Sequence, residues 1–307
     1  MKLNDAIDLR LGSQAVKEVR VGSELVWPFV SASGGVETVF EQGGKYYRLH
    51  TFNDGGTLSV TRRGNGKALI IAGGGSGGKD IGGGGGAGGV ISEELHIDVG
   101  SYVIVIGEGG SAAASPPENG GNTTALSLVA QGGGAGGNLQ NDGKDGGSGG
   151  GAAANPFTSD TEPKQGGIGV SEQGNDGGVG TVSESADFGT QAGGGGGGRG
   201  GAGGGPTGSG TSIVGGIGGS GFVSSISGSE GTYAEGGGGG ADFAGGSGGD
   251  TGGDGGTGSG QGGSALANTG SGGGGGGRNA ANGGDGGSGV FMIRYEIPKY
   301  EYDAEAA

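Results

Sequence analysis

Few residues in this chain have the types and spacing that chemistry requires. Gly73–Asp80 reads GGGSGGKD, follows the apolar run ALIIA, and fits G-x-x-x-x-G-K. In a phosphate-binding loop that pattern cradles phosphates with backbone amides and a lysine, then needs Ser or Thr for Mg²⁺ and a helix behind it. Here Asp80 follows Lys79 and IGGGGG follows that, so the match is a by-product of abundant glycine. GGDTGGDGGTGSG (248–260) and GNDGGVGTV (174–182) resemble calcium-binding nonapeptide repeats, but the apolar position and the fixed period are missing. Both read as solvated turns. His50 and His96 fall in expected strands and read as satisfied strand histidines. No Ser/His/Asp spacing, HExxH motif or paired carboxylates accompany them. The expectation is a protein with no catalytic residues, no cofactor and no metal.

Composition narrows the choice further. Of 307 residues, 96 are glycine and only 30% are apolar, too few for a conventional core of this size. The net charge of −15, from 31 acidic against 16 basic residues, opposes nucleic-acid binding, which needs clustered Lys and Arg. Cysteine is absent, so there is no disulfide framework or thiol nucleophile. The N-terminus has no apolar core of a signal peptide, and no stretch is apolar enough to span a membrane.

Residues 1–30 form a unit of their own. Leu9/Leu11 and Val19/Val21 alternate, with turns at Gly12-Ser13 and Gly22-Ser23, and Leu25, Val26 and Trp27 precede Pro28. This pattern predicts two or three short strands that must dock on a larger body. Residues 31–36, SASGGV, read as a linker. Strands are expected at 39–41, 46–52, 57–61, 68–72, 90–99, 102–106 and 125–130. Asn53–Gly56, NDGG, reads as a hairpin turn between two of them. KALIIA is apolar on both faces and predicts a central strand, and YVIVI reads the same way. A strand pair is expected at 221–235 and a final strand at 289–297. The tail 301–307 is acidic and expected to fray.

Residues 132–287 are mostly glycine. Strands lie on both sides and inside this region, and its interruptions are short and fairly regular. A floppy insertion would leave those strands without partners. The alternative is a bundle of left-handed extended helices with about three residues per turn. Such helices have no internal hydrogen bonds, so buried amides must pair with neighbouring helices. Glycine alone lets backbones come that close. The predicted fold is therefore mainly β: an antiparallel β-sandwich platform carrying a polyglycine-II bundle, almost without α-helix, within one glycine-rich domain at 31–300. Collagen is excluded, because runs such as GGGGGG break the strict triplet and there are only seven prolines.

The motifs YYRLHTFNDGGTLSVT, KALIIAGGGSGG, GGGGGAGGVISEELHIDVGSYVIVIGEGG, GSEGTYAEGGGGG and the closing VFMIRYE occur in order across about residues 45–296. In that order they resemble the glycine-rich tail and fibre proteins of bacteriophages. The resemblance implies a non-enzymatic virion protein at the particle surface, assembled in the host cytoplasm. It implies a tail fibre or tail-tip component, with loops at the ends of the glycine helices meeting a host receptor or glycan. Leu9, Leu11, Val19, Val21, Leu25 and Trp27 would then attach the chain to other virion proteins. Phe157, Phe188 and Phe243, the aromatics in the interruptions, would contact the receptor. A homo-oligomer is compatible with that role. Two alternatives stay open: a head-decoration, neck or tail-tip protein with no receptor, and a non-viral extracellular glycine-rich structural protein.

Overall fold

The computed structural model describes residues 10–11, 14–15, 19–21, 24–27, 29–138, 141–155, 162–181 and 190–305. Near the N-terminus β1 (Arg10–Leu11) pairs with β2 (Gln14–Ala15), and β3 (Val19–Val21) pairs with β4 (Glu24–Trp27). The body is built on two antiparallel sheets. Its strands are β5 (Ser31–Ser33), β6 (Val36–Gln42), β7 (Lys45–Phe52), β8 (Gly56–Arg62), β9 (Gly64–Ile71), β10 (Val90–Ile97) and β11 (Gly100–Ile104). Two small hairpins follow, β12 (Thr123–Ala125) with β13 (Leu128–Ala130) and β14 (Phe222–Ser224) with β15 (Gly231–Tyr233). β16 (Val290–Ile297) and the helix α1 (Lys299–Glu305) end the chain.

One sheet has the order β10-β9-β16-β7-β6 and the other β11-β8-β5. Phe52, Leu58, Val60, Ile70, Ile104, Phe291 and Ile293 form the buried layer between them. The far side of the larger sheet is covered too: Leu69, Ile71 and Met292 pack against Ile226 and Ala234 of the β14–β15 region. β9 and β16 are therefore buried on both faces, which is why KALII and VFMI are nearly continuous apolar runs.

Several expectations change. NDGG does not make a hairpin: β7 pairs with β6 and β16, whereas β8 pairs with β5 and β11. Neither Gly55 nor Gly56 adopts positive φ, and the turn is a corner carrying the chain between sheets. The tight hairpin lies one strand earlier, at Gly43-Gly44 (φ 64° and 77°), joining Gln42 to Lys45. The expected linker at 31–36 contains β5, because Val30 and Ala32 are drawn into the core. Tyr102–Ile106 is an edge rather than a central strand; Val103 is 72% exposed, since apolar residues alone do not specify a second covered face. Of the tail, the residues up to Glu305 fold as part of α1, held where Tyr302 packs at a tilt against Tyr46 and Arg48 pairs with Glu301 and Glu305.

The glycine segments are ordered by lateral hydrogen bonds with a period of three, as the pass Gly82–Gly89 shows. Gly82, Gly85 and Gly88 donate to Gly276, Gly273 and Gly270; Gly83, Gly86 and Gly89 donate to Gly137, Gly134 and Gln131; Gly84 and Ala87 donate to Gly194 and Gly197. These bonds are 2.7–3.0 Å long. The carbonyls accept in the same rhythm, from Gly78, Gly75 and Ala72, from Gly240 and Gly237, and from Gly151 and Ser148. Each set of every third residue thus faces a different neighbour, giving three acceptor passes and three donor passes around one central helix. That is the polyglycine-II arrangement, a threefold extended helix whose bonds are all external. The network also takes in 72–89 and 107–122, and its central pass precedes the long glycine region altogether.

Glycine is required here for closeness, not for conformation. No residue of Gly82–Gly89 adopts positive φ. A Cβ on Gly84 would lie 2.0 Å from the Gly237 carbonyl oxygen, and one on Gly85 2.1 Å from that of Gly75. At Gly205, on the outer layer, a Cβ would meet nothing nearer than a Val179 methyl at 3.3 Å. Gly84→Ala should therefore lower stability by about 3 kcal/mol or more, as an overpacked backbone contact does. Gly205→Ala should stay within about 1 kcal/mol of the parent. Chemical denaturation of the two variants checks the contrast, and equal losses would contradict it.

Candidate functional site

The bundle has one end on the sandwich, and at its other end the passes close in turns. Ala72–Gly78 leaves β9, turns at Lys79–Ile81, and returns as Gly82–Gly89 to β10. Gly270–Gly277 turns at Arg278–Ala280 and comes back to β16. The pass leaving β15 reaches the same level at Ala241–Phe243. Hydrogen bonds tie these turns into one face: Asp80 N–H to Ala281 O (3.0 Å), Ile81 N–H to Gly277 O (2.9 Å), Ala154 N–H to Ile81 O (3.1 Å) and Asp242 N–H to Gln191 O (3.0 Å).

Two of the turns hold consecutive non-glycine residues in the left-handed region: Asp80 and Ile81 (φ 59° and 53°), then Asn279 and Ala280 (61° and 59°). Each costs roughly 1–2 kcal/mol over a right-handed conformation, and for β-branched Ile81 such a φ is a genuine outlier. The lateral bonds on both sides impose it, and burial of the Ile81 side chain offsets part of the cost.

Asp242 anchors the face. Its carboxylate is fully buried and accepts from the amides of Thr190 (3.2 Å) and Gln191 (3.1 Å) and from Arg278 Nη2 (2.7 Å). Its hydrogen bonds to the guanidinium raise the Arg278 pKa above its ordinary value. Because Asp242 turns inward, the next residue turns outward: Phe243 is 38% exposed, with Lys79, Asn279 and Ala280 also at the surface. Neither Arg278 nor Asp242 belongs to a motif that marks it in the sequence. The signal would have been a charged residue just past the end of each of two unbroken glycine runs, Gly236–Gly240 and Gly272–Gly277.

The other candidates fall as follows. Phe243 lies on the distal face, while Phe157 and Phe188 lie outside the described residues. So does Leu9. Leu11, Val19, Val21, Leu25 and Trp27 sit in the strands of the two N-terminal hairpins. The phosphate-loop look-alike is an extended pass. The amides of Gly73, Gly74, Gly75, Ser76, Gly77 and Gly78 all donate to carbonyls of other passes, so none is left for a phosphate. Asp254, in the calcium-like stretch, accepts from Ser247 Oγ and Gly248 N–H.

His50 is fully buried between the sheets. Nδ1 lies 2.8 Å from Gly34 O and Nε2 2.8 Å from Tyr295 Oη, which in turn accepts from Ala32 N–H at 3.2 Å. A carbonyl can only accept, so the ring carries its proton on Nδ1 and accepts the Tyr295 hydroxyl proton at Nε2. Burial lowers the His50 pKa and pushes that of Tyr295 up to about 12. His96 is exposed at the surface, with Nδ1 3.0 Å from Asn65 Oδ1. These are structural histidines.

A β-sandwich carrying a laterally bonded glycine bundle is thus the class of protein at hand. Residues 50–296 match the family model of the glycine-rich domain, and the chain belongs to that family. No curated protein is significantly similar to it in sequence. Among the described residues no helix is long and apolar enough to cross a membrane.

The buried His50 has a pH consequence. Its folded pKa lies below the ordinary 6.5, so below that pH the unfolded chain takes up a proton that the folded one refuses. Stability should be intact above pH 6.5 and fall as the pH drops from there towards the folded pKa. His50→Gln should flatten this slope in thermal melts between about pH 7.5 and about pH 5.5. An unchanged slope would show that the histidine plays no part.

Proposed function

We propose that this chain is a non-enzymatic bacteriophage virion protein, a tail fibre or tail-tip component whose distal face meets the host surface. The N-terminal hairpins join it to other virion proteins, through Leu9, Leu11, Val19, Val21, Leu25 and Trp27. The bundle gives reach without flexibility, and its turns present side chains to a receptor or glycan. The observation that carries this reading is the distal face itself. Buried salt-bridged Asp242 and strained turns at Ile81 and Ala280 hold an exposed aromatic, Phe243, on a rigid support far from the sandwich. Fixed aromatics among polar neighbours are the side chains that anchor protein interfaces. The order of glycine and strand motifs along the chain points the same way.

Gold-labelled antibody against the chain should mark the tail tip or fibres in electron micrographs of virions. Purified protein should compete with virions for adsorption to host cells. Phe243→Ala should weaken that competition by about tenfold or more while leaving the thermal midpoint unchanged. Label on the head or neck, or adsorption indifferent to saturating protein, would instead leave a purely structural role.

A further inference from the structure

A groove of about 490 Å³ opens on the side of the molecule, where β10 meets the glycine bundle. Volumes in this range suit a specific ligand. One wall is the start of β10, Val90 to Glu93; the others are the turn at Glu172–Gln173, Phe222 and Arg199. Two unmet needs converge on it.

The first is a strand edge. β10 is the last strand of its sheet and pairs only with β9. The Val90 amide points away from β9 and donates to Gln173 O at 3.1 Å. Strand alternation turns the amides of Ser92 and Glu94 the same way, and neither has a partner among the described residues. The second is a cation. Arg199 Nε is buried without a hydrogen-bond partner, and no ion pair is formed by its guanidinium among the described residues. The Arg199 backbone is fixed, its amide donating to Ala234 O (2.9 Å) and its carbonyl accepting from Asn175 Nδ2 (3.0 Å).

We infer that this groove binds the C-terminal segment of a partner chain, which adds antiparallel to β10 and places its terminal carboxylate at Arg199. Addition of an extended peptide to a sheet edge uses main-chain bonds for affinity, and a carboxylate is the acceptor that a guanidinium matches best. The direction follows from the geometry. Gln173 already occupies the edge at Val90, so an added strand must stop there. A strand antiparallel to β10 arrives at that point with its C-terminus, beside Arg199. Phe222, half-buried in the wall, offers an apolar contact to a side chain near that end. Glu93, Glu94 and Glu172 around the groove repel acidic segments, so the partner is neutral or basic apart from its terminus. This site is separate from the distal face and does not rest on the virion reading.

The test is selection of random octapeptides with free C-termini on the full chain. A selected peptide is then synthesised as the free acid and as the C-terminal amide. The free acid should bind and should slow exchange of the Ser92 and Glu94 amides in the unaltered protein. Amidation, Arg199→Gln and Ser92→Pro should each weaken binding by about tenfold or more. Ser92→Pro removes an outward amide only, so the ladder to β9 is kept. Failure to enrich any peptide, or binding that survives amidation or Arg199→Gln, would overturn the proposal. If Ser92→Pro does not fold, the exchange measurement decides on its own: amides of Ser92 and Glu94 that stay unprotected in the peptide complex also overturn it.

Discussion

A buried peptide group must find a hydrogen-bond partner, and in an extended helix with three residues per turn that partner always belongs to another segment. The rest of this structure follows from that constraint. Orphaning a buried amide costs about 1–3 kcal/mol, while a made bond returns a net of about 1. The bundle is therefore stable only where nearly every pass is surrounded. Gly82–Gly89 is the limiting case, donating to three neighbours and accepting from three. Such proximity leaves no room for a Cβ at the glycine positions of this pass, and only Ala87, whose Cβ is taken into the apolar cluster under the larger sheet, departs from it.

The sandwich makes the bundle possible. β9 hands the chain directly to Ala72–Gly78 and β10 receives it after Gly89, so strands already in register pin both ends of the innermost hairpin. β16 pins the last return pass in the same way between β9 and β7. The sheets contribute ordinary apolar burial through residues such as Ile70, Phe291 and Ile293, which the glycine passes cannot supply. At the opposite end no sheet is present among the described residues. There Asp242, Arg278 and the left-handed residues Asp80, Ile81, Asn279 and Ala280 close the passes instead. The two surfaces proposed to bind partners are the two places where the lattice stops: the distal turns and the flank beside β10.

Much of this was legible in the sequence. KALII and VFMI, apolar at successive positions, announced central strands because both of their faces are covered. The glycine runs announced close backbone approach because no other residue permits it. What escaped was whatever depends on pairing between distant segments. NDGG has the chemistry of a tight turn, yet the strands flanking it go to different sheets: β7 joins β16, as in the pairing of Phe52 with Phe291, while β8 joins β5 and β11. YVIVI is as apolar as KALII, but nothing local records that Val103 faces solvent. At the distal face, aromatic character marks Phe243 in the sequence, while nothing local marks Asp242 beside it. Its role appears only when Thr190 and Gln191 from one segment and Arg278 from another are brought around it.

The most direct test of the central claim is amide hydrogen exchange, resolved by residue, along Gly82–Gly89. In the arrangement described, these amides are bonded and buried in a cooperative lattice, so they should exchange as slowly as those of Leu69 and Ile293 in the central strands. Exchange at the rate of an unstructured peptide, while Leu69 and Ile293 stay protected, would mean that the glycine passes are not knit together. The account of both the fold and its distal face would then be wrong.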